Sequence, residues 1–460
     1  MAEHFRDYLD PSVDTYAHKV LQPERDRTHK LLACYGAKLF AAMGAERDYT
    51  GHPDKWYLTT TDGNQVALDI HDPERFFPAI YRYRDVGVFY GLTGDQDGPL
   101  WTPDPRLTYI PEGVDSGHRE PDSLVQVVEA FSRMTRVPRA IGRRAAQLVA
   151  PIRDARAEKR WRASTDRTKA EIAAHYDLSP EVYDTMLDQQ FVQYSSGLLA
   201  PGRKFESLHD LQEQKVESLI RMLELDSAET LLEVGGGWGG LAVAIAERVP
   251  HINITSLTVS HEQYLRAVKR AEDAGVADRV QFREQDYRDL DPSATFDRVV
   301  SVEMIEAVDW RDHGTYFDAL TRHADSQHGR IVLQAITIRP EQFASQRHNR
   351  SFANTAIFPG GVLTPERTIV QQLERRELTL SGRQDLGESY ALTLREWIRN
   401  LWDRREELDK EWRAEGMTSA QIERFWRGFS FYLAASQAGF RAGTGPNIGV
   451  CQLAFKASER

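Results

Sequence analysis

Thr230-Leu-Leu-Glu-Val-Gly-Gly-Gly-Trp-Gly-Gly-Leu241 is an apolar run that ends in Glu-x-Gly-x-Gly-x-Gly and then opens a helical pattern. It reads as a first strand, a sharp glycine turn and a helix N-terminus, the corner at which a nucleotide approaches the backbone. Gly235, Gly237 and Gly239 can take positive φ and carry no Cβ, and Glu233 brings a carboxylate to the strand end. No Lys-Ser/Thr follows, which argues against a phosphate loop. Gly235, Gly237 and Gly240 also stand at the spacing of the dinucleotide fingerprint. A tight turn without a ligand stays open at this point.

Working outward, strands and helices alternate. The pattern predicts strand 231–234, helix 239–248, strand 253–259, helix 261–274, strands 279–284 and 296–303, helix 312–323 and strand 330–338. This is an α/β fold with a doubly wound, Rossmann-like parallel sheet. Upstream lie a helix from Leu208 to Leu225, a helical stretch from Ile172 to Leu187, and Phe191-Val-Gln-Tyr-Ser-Ser-Gly, a loop suited to closing over a ligand. Downstream come an apolar insertion within Phe343–Val370, helices near Leu392–Arg404 and Ser419–Gln437, and a closing strand at Gly449–Phe455. The N-terminal part is helical from Tyr16 to Met43. It then turns to strands at Trp56-Tyr-Leu-Thr-Thr-Thr and Gln65-Val-Ala-Leu-Asp-Ile around the turn Thr61-Asp-Gly-Asn. Gly98 to Ser123 is rich in Pro, Gly and Asp and reads as a long loop. The expected domains are an α+β region over 1–125, a basic linker over 126–170, and a cofactor domain over 171–460 with a pocket-lining insertion near 341–375.

With 460 residues and 41% hydrophobic content, the chain can bury a large core. A net charge of -11 excludes a general nucleic-acid binder. The exception is 133–169, with twelve Lys/Arg against three Asp/Glu. Its apolar Val137, Ile141, Leu148, Val149, Ile152 and Trp161 fit a helix lying on anionic lipid, or a solvated connector. Cys34 and Cys451 are too few for a disulfide scaffold. His261, His313, His323, His328 and His348 lack metal-ligand spacing, so no metal is expected. With no secretion signal or long apolar run, the expected location is cytoplasmic, peripheral on the membrane through the basic segment. A homo-oligomer is left open.

Dinucleotide folds place an acid after the second strand to hold the ribose. Here that strand runs into Ser256-Leu-Thr-Val-Ser-His-Glu-Gln, with polar Thr258, Ser260 and Gln263 instead. After the third strand comes Gln285-Asp-Tyr-Arg-Asp, an acid and a ring that suit an adenine amino group and its face. The set favours S-adenosylmethionine over a nicotinamide cofactor. Together, His175-Tyr-Asp-Leu-Ser, Gln193-Tyr-Ser-Ser, Leu232-Glu-Val-Gly-Gly-Gly-Trp-Gly-Gly, Leu257-Thr-Val-Ser, Gln285-Asp-Tyr-Arg-Asp and Phe358-Pro-Gly-Gly resemble the cyclopropane-fatty-acyl-phospholipid synthase family from about residue 165 onward. The usual Gly-Glu-x-Tyr-Met-x-Gly-x-Trp stretch is missing from the N-terminal region.

The resemblance implies a class I S-adenosylmethionine-dependent methyltransferase fold that modifies the double bond of an unsaturated acyl chain, commonly in a phospholipid. It implies cofactor contacts from Tyr194, Ser195, Gly235, Gly237, Thr258, Gln263, Asp286 and Tyr287, joined by Glu233, Trp238, Gly239 and Ser260 around the same corner. It further implies a bound bicarbonate as base, held by a Cys, a His, a Tyr and a Glu. Glu306 in Val302-Glu-Met-Ile-Glu-Ala and Tyr390 in Gly387-Glu-Ser-Tyr keep two of those ligands. Gln334 stands for the histidine, Ser436 for the C-terminal cysteine, Ser196 for the cysteine of Tyr-Ser-Cys, and Ala307 for a further histidine. Gln cannot titrate, so the bicarbonate cage is weakened or rebuilt, with Glu306 itself a candidate base. The motifs around Glu306 and Gln334 resemble actinobacterial relatives making methyl-branched, tuberculostearic-type acids. A soluble polyene substrate, a non-catalytic lipid or cofactor binder and a nicotinamide oxidoreductase remain the alternatives.

Overall fold

The computed structural model describes residues 37, 41, 45–47, 55–59, 63–73, 76–77, 101–106, 108, 110, 117–134, 180–346, 361–441 and 448–458. The expected helix at Tyr16–Met43, the basic segment 133–169, His175 and the Phe358-Pro-Gly-Gly motif lie wholly or almost wholly outside them. The chain divides into two compact units. Among the described residues the first holds 45–134 and 394–441, and the second holds 180–346, 361–393 and 448–458.

In the first unit, β1 (Glu46–Arg47), β2 (Lys55–Thr59), β3 (Gln65–Ile70) and β4 (Trp101–Pro103) form an antiparallel sheet in that order. The turn expected after β2 contains Gly63 at φ 85°. Helix α1 (Arg119–Met134) is buried around its whole circumference from Pro121 to Phe131. The boundary expected at residue 125 therefore falls inside a helix. Residues 394–441 also group with this unit rather than with the sheet of the cofactor fold, which differs from the division read off the sequence.

The second unit is a seven-stranded sheet flanked by helices. Helices α2 (Pro180–Met186) and α3 (Leu208–Leu223) lead into β5 (Thr230–Val234), α4 (Gly240–Arg248), β6 (Asn253–Thr258), α5 (His261–Asp273) and β7 (Val280–Glu284). The chain then returns through β8 (Arg298–Val302), α6 (His313–His323), β9 (Arg330–Ile338), α7 (Pro340–Gln346), α8 (Glu366–Glu374), β10 (Leu378–Asp385), α9 (Gly387–Asp403, whose residues up to 393 belong here) and β11 (Ile448–Ala457). The strand order is β10-β11-β9-β8-β5-β6-β7. The five strands from β9 to β7 are parallel, as expected, and β11 runs antiparallel between β9 and β10. β10 was not anticipated, because its burial alternates along a largely polar run.

Apolar strands and an all-round apolar helix α4 account for the core. Leu231, Ile245, Ile254, Val300 and Val332 are at most 2% exposed. Each such side chain contributes about 1.5–3 kcal/mol on burial. The chain leaves β5 toward β6 on one side and later returns to β8 on the other, so the order reverses at β5. In such sheets ligands bind beyond the carboxyl ends of the strands at that reversal, here beyond Val234 and Val302. No described helix is long and apolar enough to cross a membrane.

Candidate active site

The glycine corner is built by backbone contacts that only glycine permits. Gly235 and Gly236 donate their N–H groups to the Leu257 carbonyl at 3.0 and 2.8 Å, locking the turn onto β6. Gly235, Gly237 and Gly239 all have positive φ. A Cβ at Gly240 would lie 1.4 Å from the Phe191 carbonyl oxygen, whereas one at Gly237 would meet nothing within 4 Å. The first glycine lets segment 188–194 pack on the start of α4. The second leaves an open cradle above the turn.

Around this cradle the expected cofactor residues take distinct places. Glu233 is buried and accepts from Ser256 Oγ at 2.6 Å, and burial pushes its carboxyl up to about 7. Trp238 is buried against Tyr183, whose ring also meets Tyr194 edge-on. Ser260 caps α5 by accepting from Gln263 N, while Thr258 Oγ1 donates to Gln263 Oε1 at 2.9 Å. That leaves Gln263 Nε2 buried without a partner. Asp286 is closed by a two-point pair with Arg288, and Tyr287 packs edge-on against Tyr316. An open cradle and an orphaned amide donor fit a ligand with acceptor oxygens such as a ribose, so these residues fit S-adenosylmethionine. Asp286 reaches an adenine only by sharing its carboxylate with Arg288.

The expected catalytic residues converge on a carboxylate that sequence reasoning passed over. Glu303, directly after β8, is half-buried and held at φ 47°, a conformation costly for a residue with a Cβ. Its Oε1 accepts the Ser196 N–H at 2.9 Å and Gln334 Nε2 at 2.8 Å; its Oε2 accepts the Tyr390 hydroxyl at 3.0 Å. Tyr390, expected to serve with Glu306, thus donates to Glu303 instead. Ser196 acts through its backbone, since its hydroxyl donates to the Gly197 carbonyl. Gln334 sits opposite Gln452 in the β9–β11 register and accepts from its Nε2 at 3.0 Å, while Ser218 donates to Gln452 Oε1 at 2.7 Å. Thr393 and Ser389 on α9 accept the Gly197 and Leu199 N–H groups, fixing the 195–199 segment against the helix that carries Tyr390.

Glu306, three residues on, is half-buried as a residue, with its Oε2 atom inaccessible. One oxygen accepts the Ile336 N–H and the other has no partner. Burial, with Glu303 nearby, pushes its carboxyl up to about 8. Glu303 is raised by burial as well, but Gln334, Ser196, Lys215 and Tyr390 all favour its ionised form. Burial raises both carboxyls, and the donors around Glu303 oppose that rise more than the single backbone N–H at Glu306 does. Ser436 lies on the helix Ser419–Phe440, in the first unit. Among the described residues no cluster of His, Cys, Asp and Glu could hold a metal ion.

The mycolic acid cyclopropane synthetase family matches residues 163–453. The chain belongs to this family. It is 34% identical over 286 residues to the tuberculostearic acid methyltransferase UfaA1 of Mycobacterium tuberculosis, covering 61% of this chain and 64% of that protein. With the cyclopropane-fatty-acyl-phospholipid synthase of Escherichia coli strain K12 it shares 31% over 268 residues, or 58% and 63% of the two chains. The chain thus spans just under two thirds of these relatives' length. The cyclopropane synthase MmaA2 of Mycobacterium tuberculosis superposes with a TM-score of 0.54 at 24% identity, over 63% of this chain and 98% of that one. The mycolic acid cyclopropane synthase CmaA1, solved with S-adenosylhomocysteine, gives the same figures. The family's fold, that of class I S-adenosylmethionine-dependent methyltransferases, is the one the resemblance implied.

Glu303 left a signal that was available in the sequence. It is the first residue past β8, at the reversal of strand order, where a carboxylate faces the ligand side of the sheet. Lys215 and Gln212 gave no such signal, because on a helix they read as surface residues.

Proposed function

We propose that this protein methylates the double bond of an unsaturated fatty acyl chain, carried in a phospholipid, and that Glu303 is the base that completes the reaction. The observation that carries the reading is the half-buried Glu303 carboxylate with donors from Ser196, Gln334 and Tyr390. Bound over the glycine corner, S-adenosylmethionine supplies an electrophilic methyl carbon. An alkene that gains a methyl group leaves a cation on the acyl chain, and that cation must lose a proton where no water reaches. Glu303 offers both the negative charge that stabilises the cation and the oxygen that accepts the proton. Tyr390 and Gln334 fix which oxygen lone pair faces the substrate. Loss of the proton from the added carbon gives a cyclopropane by ring closure, or an exocyclic methylene if a hydride has first shifted.

In this reading the protein's own carboxylate does the work that bicarbonate does in the relatives it resembles, and turnover does not require added bicarbonate. Segment 341–375 and basic segment 133–169 are assigned to the acyl chain and the anionic lipid surface respectively. Incubation with methyl-labelled S-adenosylmethionine and unsaturated phospholipid vesicles should place label in the lipid fraction. Ozonolysis of the product then separates methylene from ring. Label found only in a soluble olefin, or no transfer to any olefin, rejects the lipid reading. Glu303→Gln should lower turnover about 10²–10⁴-fold while S-adenosylmethionine still binds.

A further inference from the structure

Helix α3 carries a lysine that is 0% exposed on the same side as the Glu303 site. Lys215 Nζ donates to Ser195 Oγ at 2.8 Å, and the next residue, Ser196, gives its N–H to Glu303. Gln212, one turn earlier on α3, donates to the Ser195 carbonyl at 3.0 Å. The Ser195–Ser196 dipeptide is thereby fastened to α3 on one side and to Glu303 on the other. A carboxylate buried without a counter-charge takes up a proton, and once protonated it cannot accept another.

We propose that Lys215 is a positioning residue whose ammonium, anchored through Ser195, keeps Glu303 ionised and ready to accept a proton. This rests on the reading that Glu303 is the base. The other groups facing the pair are consistent with that role. Glu303 pushes Glu306 toward its protonated form, and Tyr390 favours the ionised form of Glu303. Asp188, which accepts from the Gln190 and Phe191 amides and contacts His209 Nδ1 at 3.1 Å, favours the Lys215 ammonium. Burial opposes both charges and lowers Lys215 to about 7, so each charge depends on the other.

The test uses the full chain without cofactor and reads the infrared carbonyl stretch of protonated carboxyls at neutral pH. Lys215→Gln keeps a donor for Ser195 and removes the charge, while Lys215→Met removes both and guards against misfolding of either variant. Each single variant should gain a carboxylic-acid band that disappears when Glu303→Gln is added. The wild type should show no band sensitive to Glu303→Gln. With cofactor and lipid, the acidic limb of the kcat profile should move up by about one pH unit or more in both variants. A lysine that merely braces Ser195 would raise KM for S-adenosylmethionine and lower Tm, leaving band and limb in place, and that result overturns the proposal. Should Glu303→Gln retain full turnover, the assignment of the base fails, whereas the infrared comparison still decides what Lys215 does.

Discussion

Two glutamates three residues apart, Glu303 and Glu306, look equivalent in Val302-Glu-Met-Ile-Glu, and backbone geometry alone separates them. Glu303 sits at positive φ with three donors on its carboxylate, and Glu306 follows in a short turn with one oxygen unpartnered. The resemblance selected Glu306, Tyr390, Gln334 and Ser196 from motif spacing, but a left-handed residue at a strand end leaves no mark in composition or periodicity. The place of Glu303 just past β8 was legible, but the convergence of Tyr390, Gln334 and Ser196 on its carboxylate was not. Glu306 has its own consequence for stability. Its carboxyl rises from 4.5 to about 8 on folding, so between those values the folded chain holds a proton that the unfolded chain has released. That contribution is complete below about 4.5 and is lost as pH rises through about 8, amounting to at most about 5 kcal/mol. Glu233, raised to about 7, acts in the same direction, so the informative quantity is a difference between proteins. Denaturant unfolding of wild type and Glu306→Gln from pH 5 to 8.5 should show the wild type losing more stability with rising pH than the variant. Parallel curves would mean that Glu306 is already ionised in the fold.

At the scale of elements, local patterns placed the parallel strands and their helices to within a residue or two, because each has an apolar face at one clear period. β10 escaped because an antiparallel edge strand with one wet face, written Leu-Thr-Leu-Ser-Gly-Arg-Gln-Asp, alternates too weakly to stand out. The glycine turn was legible as a turn, but the division of labour among its glycines was not. Gly240 allows the Phe191 backbone to touch α4, and Gly237 leaves room for a ligand. Gly240→Ala must push segment 188–194 away and should lower stability by about 1–3 kcal/mol or more, since the obstacle is backbone that cannot rotate aside. Gly237→Ala meets no protein atom; its φ of 54° costs only about 1–2 kcal/mol, but its methyl group fills the cradle. Thermal unfolding and S-adenosylmethionine titration should therefore separate them, with Gly240→Ala melting earlier and Gly237→Ala losing affinity out of proportion to its change in Tm. Unchanged affinity in Gly237→Ala would remove the cradle from the cofactor site.

On the scale of the whole molecule, sequence order misleads about which residues fold together. Residues 394–441 follow the cofactor fold in the chain, yet they group with the N-terminal sheet. The physical reason lies in two helices that cannot stand in water alone. α1 is buried from Pro121 to Phe131, and the helix Ser419–Phe440 buries Phe425, Trp426, Phe429, Leu433 and Phe440. Ion pairing adds a polar tie, since Arg441 reaches the 3%-exposed Glu129 at 2.9 Å. Periodicity marked the C-terminal stretch as a helix, whereas Arg119–Met134 overlaps a stretch read as loop and linker, because its buried face includes the polar Asp122, Ser123, Gln126 and Glu129. Removing residues 1–134 should therefore leave the Ser419–Phe440 helix with exposed aromatic surface, although the seven-stranded sheet loses none of its strands. Compared with the full chain, such a truncation should bind a hydrophobic dye strongly and elute as aggregates in size-exclusion chromatography. A truncated chain that stays monomeric, binds no dye and keeps its near-ultraviolet circular dichroism would show that 394–441 folds without the N-terminal sheet. The same comparison carries a functional reading: a truncated protein that remains soluble in detergent should still bind S-adenosylmethionine, because every residue of the glycine corner lies in the second unit.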